Sequence, residues 1–178
     1  MSIAELQELK YDVLVLPETH DTDVCESGVL LTAEKVGGND PWGGVAMLLS
    51  PRMAKAKIGG GKIGSRLVWA RFKVKGATIF VIGIYVAHMF RTQTPFREEN
   101  YDELRQILTM IPVGDIPLIL GDFNSRLARN IKGITGRWSI HKRTDSGGEI
   151  LEKLCSQFGL VASSTFFRPS SKNITGRS

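Results

Sequence analysis

The chain has 178 residues, a length that suits one domain with a hydrophobic core and is short for two. Its composition, with 42% hydrophobic and 23% charged residues, excludes a disordered or fibrous protein. The net charge of +5 would attract a polyanion but does not by itself establish one as a partner.

The first half of the sequence combines one helical pattern with short apolar strands. Ser2-Ile3-Ala4-Glu5 fits a capping box followed by an apolar stripe, which predicts a short opening helix. Apolar runs predict buried strands at residues 11–16 and 45–49, and a shorter strand at 28–31. The three glycines at 59–61 lie in a basic stretch and predict a flexible loop.

The second half begins with a hairpin. Residues 67–74 and 77–86 are rich in β-branched and aromatic side chains, and Lys75-Gly76 between them predicts a turn. Apolar residues recur at helical spacing over 97–111, which predicts a helix. The apolar run at 116–120 predicts another buried strand, which ends at Gly121.

The last third of the chain is more polar. Glycines and charges at 131–143 predict a loop, and the apolar spacing before Gly159 predicts a helix at 150–158. Residues 160–167 are interpreted as a strand, and residues 168–178 as a poorly ordered tail. Strands that alternate with helices and a hairpin predict a layered α/β domain with mixed sheets.

The cysteines and the apolar runs indicate the compartment. Cys25 and Cys155 are far apart and have no CxxC partner, which argues against a structural zinc site and against a disulfide framework. The sequence shows neither a signal-peptide pattern nor an apolar run long enough to span a membrane. We therefore expect an intracellular protein, nuclear or cytoplasmic, without membrane insertion.

Four polar side chains are predicted at the ends of strands, and together they suit phosphate chemistry. They are Glu18, Tyr85, Asp122 and Asn124. Phosphodiester hydrolysis requires a hard divalent cation, a base for the attacking water and donors for the phosphate oxygens. Strand ends in α/β domains can gather such groups in one crevice. The alternatives are a solvated glutamate, an Asx turn and a packing tyrosine.

Six segments in a fixed order extend this pattern over nearly the whole chain. They are Leu16-Pro17-Glu18-Thr19-His20, Gly43-Gly44-Val45-Ala46, Arg66-Leu67, Ile84-Tyr85-Val86-Ala87-His88, Gly121-Asp122-Phe123-Asn124 and Ser164-Thr165-Phe166-Phe167. The series resembles the endonuclease/exonuclease/phosphatase superfamily. Within it, the segments are most similar to the endonucleases of LINE-type (non-LTR) retrotransposons and to craniofacial development protein 2-like domains.

The resemblance implies a fold and a reaction. The fold is a four-layer α/β sandwich, two mainly antiparallel mixed sheets face to face with helices outside, incomplete here and covering residues 1–167. The reaction is DNA phosphodiester cleavage with Mg²⁺ or Mn²⁺. The implied roles are a metal ligand for Glu18, an activator of the attacking water for Asp122, phosphate contacts for Asn124 and Tyr85, and DNA contacts for His88 and Arg126.

The sequence also departs from the superfamily pattern. The metal-site Asn of an upstream strand and the C-terminal Asp-His pair do not occur here. We therefore expect impaired activity, since an acid-base group of this kind contributes about 10²–10⁴-fold to rate. Two alternatives stay open: an inactive remnant that at most binds DNA or protein, and a phosphatase of the same superfamily. The expected partners are DNA and a reverse-transcriptase domain in a longer parent polypeptide.

Overall fold

The computed structural model describes residues 11–19, 29–33, 44–87 and 94–168. The chain divides into two compact units, Met1–Phe123 and Asn124–Ser178. The strands of the first unit are β1 (Val13–Pro17), β2 (Val29–Ala33), β3 (Val45–Leu49), β4 (Lys57–Ile63), β5 (Leu67–Val74), β6 (Ala77–Tyr85) and β7 (Asp115–Asp122). The helices are α1 (Pro51–Ala56), α2 (Thr94–Met110) and α3 (Ser146–Phe158), with a 3₁₀ helix at Ser163–Phe166.

Within the described ranges, seven strands form two sheets. The first has the order β1-β3-β2 and is antiparallel throughout, whereas the second has the order β4-β5-β6-β7. In the second sheet only the pair β6–β7 is parallel. Parallel neighbours need a long crossover connection, and α2 lies in the chain between these two strands. The predicted mixed, mainly antiparallel sheets are confirmed.

The two sheets bury one apolar core between them. Strand β3 is central in its sheet and buried along its whole length. The second sheet supplies alternate residues of β5, namely Val68, Ala70 and Phe72, because side chains alternate between the faces of a strand. These residues cluster with Val45, Met47 and Leu49 of β3. The predicted α/β sandwich with two facing sheets is therefore confirmed.

The outer face of the second sheet is apolar as well. Trp69 of β5 stacks on Phe80 of β6 with the ring centres 5.1 Å apart. Helix α2 contacts β5 and buries Tyr101, Leu104 and Ile107. The helical spacing of these three residues places them on one side of α2, which explains why the sequence pattern predicted this helix correctly.

The predicted flexible loop at residues 59–61 is wrong. All three glycines lie in β4, which pairs with β5. A Cβ added at Gly61 would lie 3.0 Å from the Nε1 atom of Trp69, so the indole occupies the space that a side chain would need. The glycines therefore fit β4 beside a bulky neighbour, and a contact with a distant residue outweighs their preference for loops.

The second unit contains α3 and the loops beside it. Asp145 caps the helix, because its carboxylate accepts a hydrogen bond of 2.7 Å from the N–H of Gly148. Gly159 ends the helix in the left-handed conformation, as predicted. Residues 131–143 form neither a helix nor an extended strand, which confirms the predicted loop.

The predicted strand at residues 160–167 is wrong, because this segment contains a 3₁₀ helix instead. The hydroxyl of Thr165 donates a hydrogen bond of 2.6 Å to the carbonyl of Ala162. The carbonyl of Thr165 accepts a hydrogen bond from the N–H of Trp138. A local side-chain bond thus closes a turn that competes with extended structure.

Two predictions lie outside the described residues: the opening helix near Ser2, and the poorly ordered tail apart from its first residue, Arg168. Within the described ranges, no helix is both long enough and apolar enough to cross a bilayer.

Candidate functional site

Glu18 follows the last residue of β1 and has an uncommon backbone conformation. Its φ angle is +56°, in the left-handed region that non-glycine residues seldom adopt. Backbone strain of this kind costs roughly 1–3 kcal/mol and persists where the surrounding contacts impose it. The residue is exposed, and its carboxylate accepts a hydrogen bond from the phenol of Tyr85. This bond joins the end of β1 to the end of β6.

Tyr85 is both a core residue and a polar group at the site. It is 2% exposed and belongs to the cluster between the sheets. Its hydroxyl donates to Glu18, so the apolar ring is buried while the polar end has a partner. The packing interpretation and the functional interpretation of this tyrosine are therefore both compatible with its position.

Asp122 ends β7 beside Tyr85. The two residues are register partners in the parallel pair β6–β7, and the N–H of Val86 donates to the carbonyl of Asp122 over 2.9 Å. Partners in such a ladder point to the same face, and neighbouring strands lie about 4.8 Å apart. Leu120, two residues earlier, packs against the core between the sheets. Asp122 therefore lies on the Tyr85 face, and its residue is exposed.

Two glycines make close approaches that this arrangement requires. Gly44, at φ +120°, donates a 3.0 Å hydrogen bond to the carbonyl of Ser65 and accepts one of 3.3 Å from the N–H of Thr19. A Cβ at Gly44 would lie 2.2 Å from the carbonyl oxygen of Thr19. A Cβ at Gly121 would lie 1.8 Å from the carbonyl oxygen of Ile84. Both glycines occur in the motifs. The sequence analysis gave Gly44 no role and predicted that the strand ends at Gly121, whereas β7 continues through Gly121 to Asp122.

Arg66 is a residue of the site that the sequence analysis did not identify as one. It is 2% exposed, and its guanidinium carbon lies 5.0 Å from the centre of the Tyr85 ring. Its carbonyl accepts a hydrogen bond of 3.0 Å from the N–H of Tyr85. Arginine is seldom buried to this degree unless it has partners. The only signal in the sequence was the motif pair of Arg66 and Leu67.

Helix α2 supplies two polar groups behind this arginine. Burial raises the pKa of the Glu103 carboxyl, while a hydrogen bond with Asn100 and the charge of Arg66 act in the opposite direction. The Oδ1 atom of Asn100 accepts a hydrogen bond of 3.1 Å from the N–H of Ala87. The helix therefore holds the chain just after Tyr85 and places a carboxyl group near Arg66.

The remaining predicted site residues lie in the second unit or outside the described residues. Asn124 is half-buried at φ +45°, and Arg126 is exposed. The N–H of Arg126 donates to the Asp145 carboxylate over 3.1 Å, so its backbone supports the cap of α3. His88 lies outside the described residues.

Carboxylate and phenol oxygens are the candidate metal donors at the site. Within the described ranges, no group of three His, Cys, Asp or Glu side chains has the arrangement of a complete metal site. Glu18 and Asp122 are exposed carboxylates, and Tyr85 adds a phenol oxygen beside Glu18. Mg²⁺ prefers oxygen ligands and is often held by one or two carboxylates together with water and substrate phosphate. The donor set therefore fits Mg²⁺ or Mn²⁺ by its chemistry.

The chain is similar to curated proteins named Craniofacial development protein 2. It is 30% identical over 137 residues to the protein of Bos taurus, which is 74% of this chain and 22% of that protein. It is 28% identical to the protein of Tragulus javanicus, over 74% of this chain and 23% of that protein. The chain thus spans less than a quarter of the length of these relatives. No protein-family model matches it.

Solved structures provide a further comparison. A humanized D. rerio TDP2 is 16% identical, with a TM-score of 0.49 over 65% of this chain and 53% of that one. A truncated Caenorhabditis elegans TDP2 is 20% identical, with a TM-score of 0.47 over 68% and 54%. The two facing sheets and the similarity to Craniofacial development protein 2 agree with the endonuclease/exonuclease/phosphatase-type fold that the sequence motifs imply.

Proposed function

We propose that the chain carries a metal-dependent phosphodiesterase site that hydrolyses DNA, as the endonucleases of LINE-type retrotransposons do. The observation that carries this proposal is the hydrogen bond from Tyr85 to Glu18, with Asp122 beside Tyr85 on the neighbouring strand. These residues are far apart in sequence, and each belongs to a motif of the resemblance. We also propose that the chain belongs to a longer parent polypeptide with a reverse-transcriptase domain. We propose a nuclear or cytoplasmic location for it.

The proposed roles follow from the chemistry of each side chain. Glu18 would hold Mg²⁺ or Mn²⁺, which when bound would neutralise charge on the phosphate. The Tyr85 phenol orients the Glu18 carboxylate and can donate to a phosphate oxygen once that carboxylate is engaged. Asp122 would orient the attacking water and accept its proton, because an exposed carboxylate offers lone pairs to water. The Asn124 amide would donate to a phosphate oxygen.

The distribution of charge supports a polymeric, anionic substrate. Residues 124–178 contain 10 Lys and Arg against 3 Asp and Glu, a net charge of +7, whereas residues 1–123 contain 13 against 15, a net charge of −2. The excess positive charge therefore lies in the second unit. A concentration of basic side chains favours binding to a nucleic acid backbone. It favours a DNA substrate over a small phosphorylated molecule, and so argues against the phosphatase alternative.

Basic side chains of the second unit also lie against an aromatic ring. The guanidinium carbons of Arg137 and Arg168 lie 5.1 Å and 5.8 Å from the ring centre of Trp138. Both arginines are exposed, and Trp138 is half-buried. Arginine and aromatic side chains together are typical of surfaces that bind phosphates and bases. We propose that this surface, together with Arg126, contacts DNA; His88 stays a proposed DNA contact from its motif alone.

The proposal is tested by nicking of supercoiled plasmid DNA in Mg²⁺ and in Mn²⁺. We expect slow nicking by the unaltered chain, a loss of at least a hundredfold in Asp122→Ala, and a comparable loss in Glu18→Gln. The matched control is Asp102→Asn, which removes an exposed carboxylate from α2 and should leave the nicking rate unchanged. All variants are purified identically, so that a contaminating nuclease would appear as activity shared by all of them.

Two results would contradict the proposal. Nicking that persists in Asp122→Ala would show that the cleavage comes from another source. Complete lack of nicking, with plasmid binding retained, would favour the alternative of an inactive remnant that binds DNA. Release of inorganic phosphate from small phosphomonoesters, without plasmid nicking, would favour the phosphatase alternative.

A further inference from the structure

The turn between β4 and β5 contacts both sides of the proposed site. The carbonyl of Ser65 accepts a hydrogen bond from Gly44, whose own carbonyl accepts one from Thr19, the neighbour of Glu18. The next carbonyl along the chain, that of Arg66, accepts a hydrogen bond from Tyr85. Two successive peptide groups thus fix the backbone beside Glu18 and the backbone of Tyr85 relative to each other.

The side chain of Arg66 acts on the same tyrosine. Its guanidinium carbon is 5.0 Å from the ring centre of Tyr85, and both residues are 2% exposed. A guanidinium over an aromatic face is attracted by the ring quadrupole, and the attraction is stronger where water is excluded. Since the hydroxyl of this ring donates to Glu18, a displacement of the ring, as by rotation about χ1, would move the hydroxyl away from the carboxylate.

We propose that Arg66 is a positioning residue of the phosphodiesterase site: packed against the ring of Tyr85 and bonded to its backbone, it holds the phenol where it binds Glu18. This inference rests on the proposed function, because the roles of Glu18 and Tyr85 in hydrolysis belong to that proposal. Arg66 is 2% exposed, so the role proposed for it is indirect. It acts through Tyr85.

Helix α2 makes this arrangement specific for arginine. Burial raises the pKa of Glu103, and the charge of Arg66 is among the smaller effects that act in the opposite direction. Glu103 also packs closely on the turn, since a Cβ at Gly64 would lie 2.3 Å from its Oε1 atom. A guanidinium is planar and can face the ring while it stays near a carboxyl group, whereas the compact ammonium of lysine lacks that planar face.

The test is a double-mutant cycle on plasmid nicking with Arg66→Lys and Tyr85→Phe. If Arg66 acts through the phenol, Arg66→Lys lowers kcat about tenfold to thirtyfold and changes KM less than twofold. In a chain that already carries Tyr85→Phe, the same substitution lowers kcat less than about twofold, because the phenol is already absent. A general loss of stability would instead lower activity equally in both backgrounds. That additive result would overturn the proposal. Arg71→Lys, in β5, is the matched control and should leave kcat unchanged.

A second measurement does not depend on activity. In protein labelled with ¹³C in its tyrosine rings, Arg66→Lys should shift the Tyr85 signal, which is assigned with Tyr85→Phe, and leave the Tyr101 signal in place. This shift supports the positioning role even if the unaltered chain does not nick DNA, a result that would refute only the proposed function. An unshifted Tyr85 signal, or equal shifts at both tyrosines, would overturn the positioning role.

A third measurement applies if Arg66→Lys does not fold. Tyr85→Leu then removes the ring from the other side of the pair. It should move the Nε–H signal of Arg66 out of its ring-shifted position and leave that of Arg71 unchanged. An unmoved Arg66 signal would overturn the proposal.

Discussion

Gly44→Ala is the sharpest test of how the backbone supports the proposed site. The new Cβ would lie 2.2 Å from the carbonyl oxygen of Thr19, and the residue would have to keep φ at +120°. The backbone strain costs about 1–3 kcal/mol, and relief of the overlap by movement of neighbouring chain costs a further ~1–3 kcal/mol. At about 2–4 °C per kcal/mol for a chain of this size, the melting temperature should fall by roughly 5–20 °C.

Gly76→Ala is the matched control for this substitution. Gly76 also has a positive φ, of +84°, but no atom lies within 4 Å of the position its Cβ would take. This variant therefore carries the strain without the overlap, and thermal unfolding followed by circular dichroism should show about half of the Gly44→Ala effect. If the two variants melt at the same temperature, the close approach of Gly44 to Thr19 contributes nothing, and the reasoning fails.

Three further predictions concern stability and reactivity. A hydrogen bond of 2.5 Å from Arg71 lowers the pKa of Asp115. The stability that this bond adds should therefore be complete above about pH 4 and be lost as the pH falls through the lowered pKa. In urea titrations, the free energies of unfolding of the unaltered chain and of Asp115→Asn should become equal at that low pH. Burial raises the pKa of the Cys155 thiol to about 11 from 9.0. In a chain whose other cysteine is replaced by serine, a thiol reagent at pH 8 should therefore modify Cys155 at least about a hundredfold more slowly than it modifies a free thiol. Rapid labelling of the folded protein would refute the burial of Cys155. Met47→Ala in the core should cost about 2–5 kcal/mol in urea unfolding, whereas Met110→Ala, at a residue 59% exposed, should change stability by less than about 0.5 kcal/mol.

The parts of the fold that the sequence predicted correctly are those that local patterns determine. The apolar run of β3 is buried along its whole length. The turn at Lys75-Gly76 joins β5 and β6 with both residues at positive φ, as a two-residue type I′ hairpin turn requires, and glycine adopts this conformation readily. Helix α3 ends at Gly159 in the left-handed conformation. In each case, residues close in sequence supply most of the information.

The strand predicted at 116–120 forms as β7, but its predicted burial is wrong: β7 lies at the edge of its sheet, and Ile116 and Leu118 are 55% and 44% exposed. The two elements whose type was predicted wrongly depend on residues far along the chain. Glycines 59–61 lie in a strand because the indole of Trp69 covers the space beside Gly61. The segment predicted as a strand turns into a 3₁₀ helix that bonds to the backbone of Trp138. Neither contact leaves a periodic pattern in the sequence. Propensity alone was therefore bound to favour a loop in the first case and a strand in the second.

The same distinction explains what the sequence revealed of the candidate site. Glu18, Tyr85 and Asp122 stood out because they belong to motifs, and strand ends brought them to one edge. Arg66 did not stand out, because its role depends on the proximity of its side chain to Tyr85 of β6 and Glu103 of α2. No spacing in the sequence encodes that proximity. A buried arginine becomes informative only when its partners are known.

The backbone conformation of Glu18 connects these observations. A left-handed glutamate is unfavourable locally, so β1 by itself would not place this carboxylate where it lies. The contacts that offset the strain come from other elements: the phenol of Tyr85, which binds the carboxylate, and the carbonyl of Gly44, which binds the next N–H. Arg66 holds the first of these contacts, and the neighbouring carbonyl of Ser65 holds the second. The position of Glu18 therefore depends on both sheets. A substitution in the turn before β5 should displace the Glu18 carboxylate, although it changes no residue of the proposed chemistry.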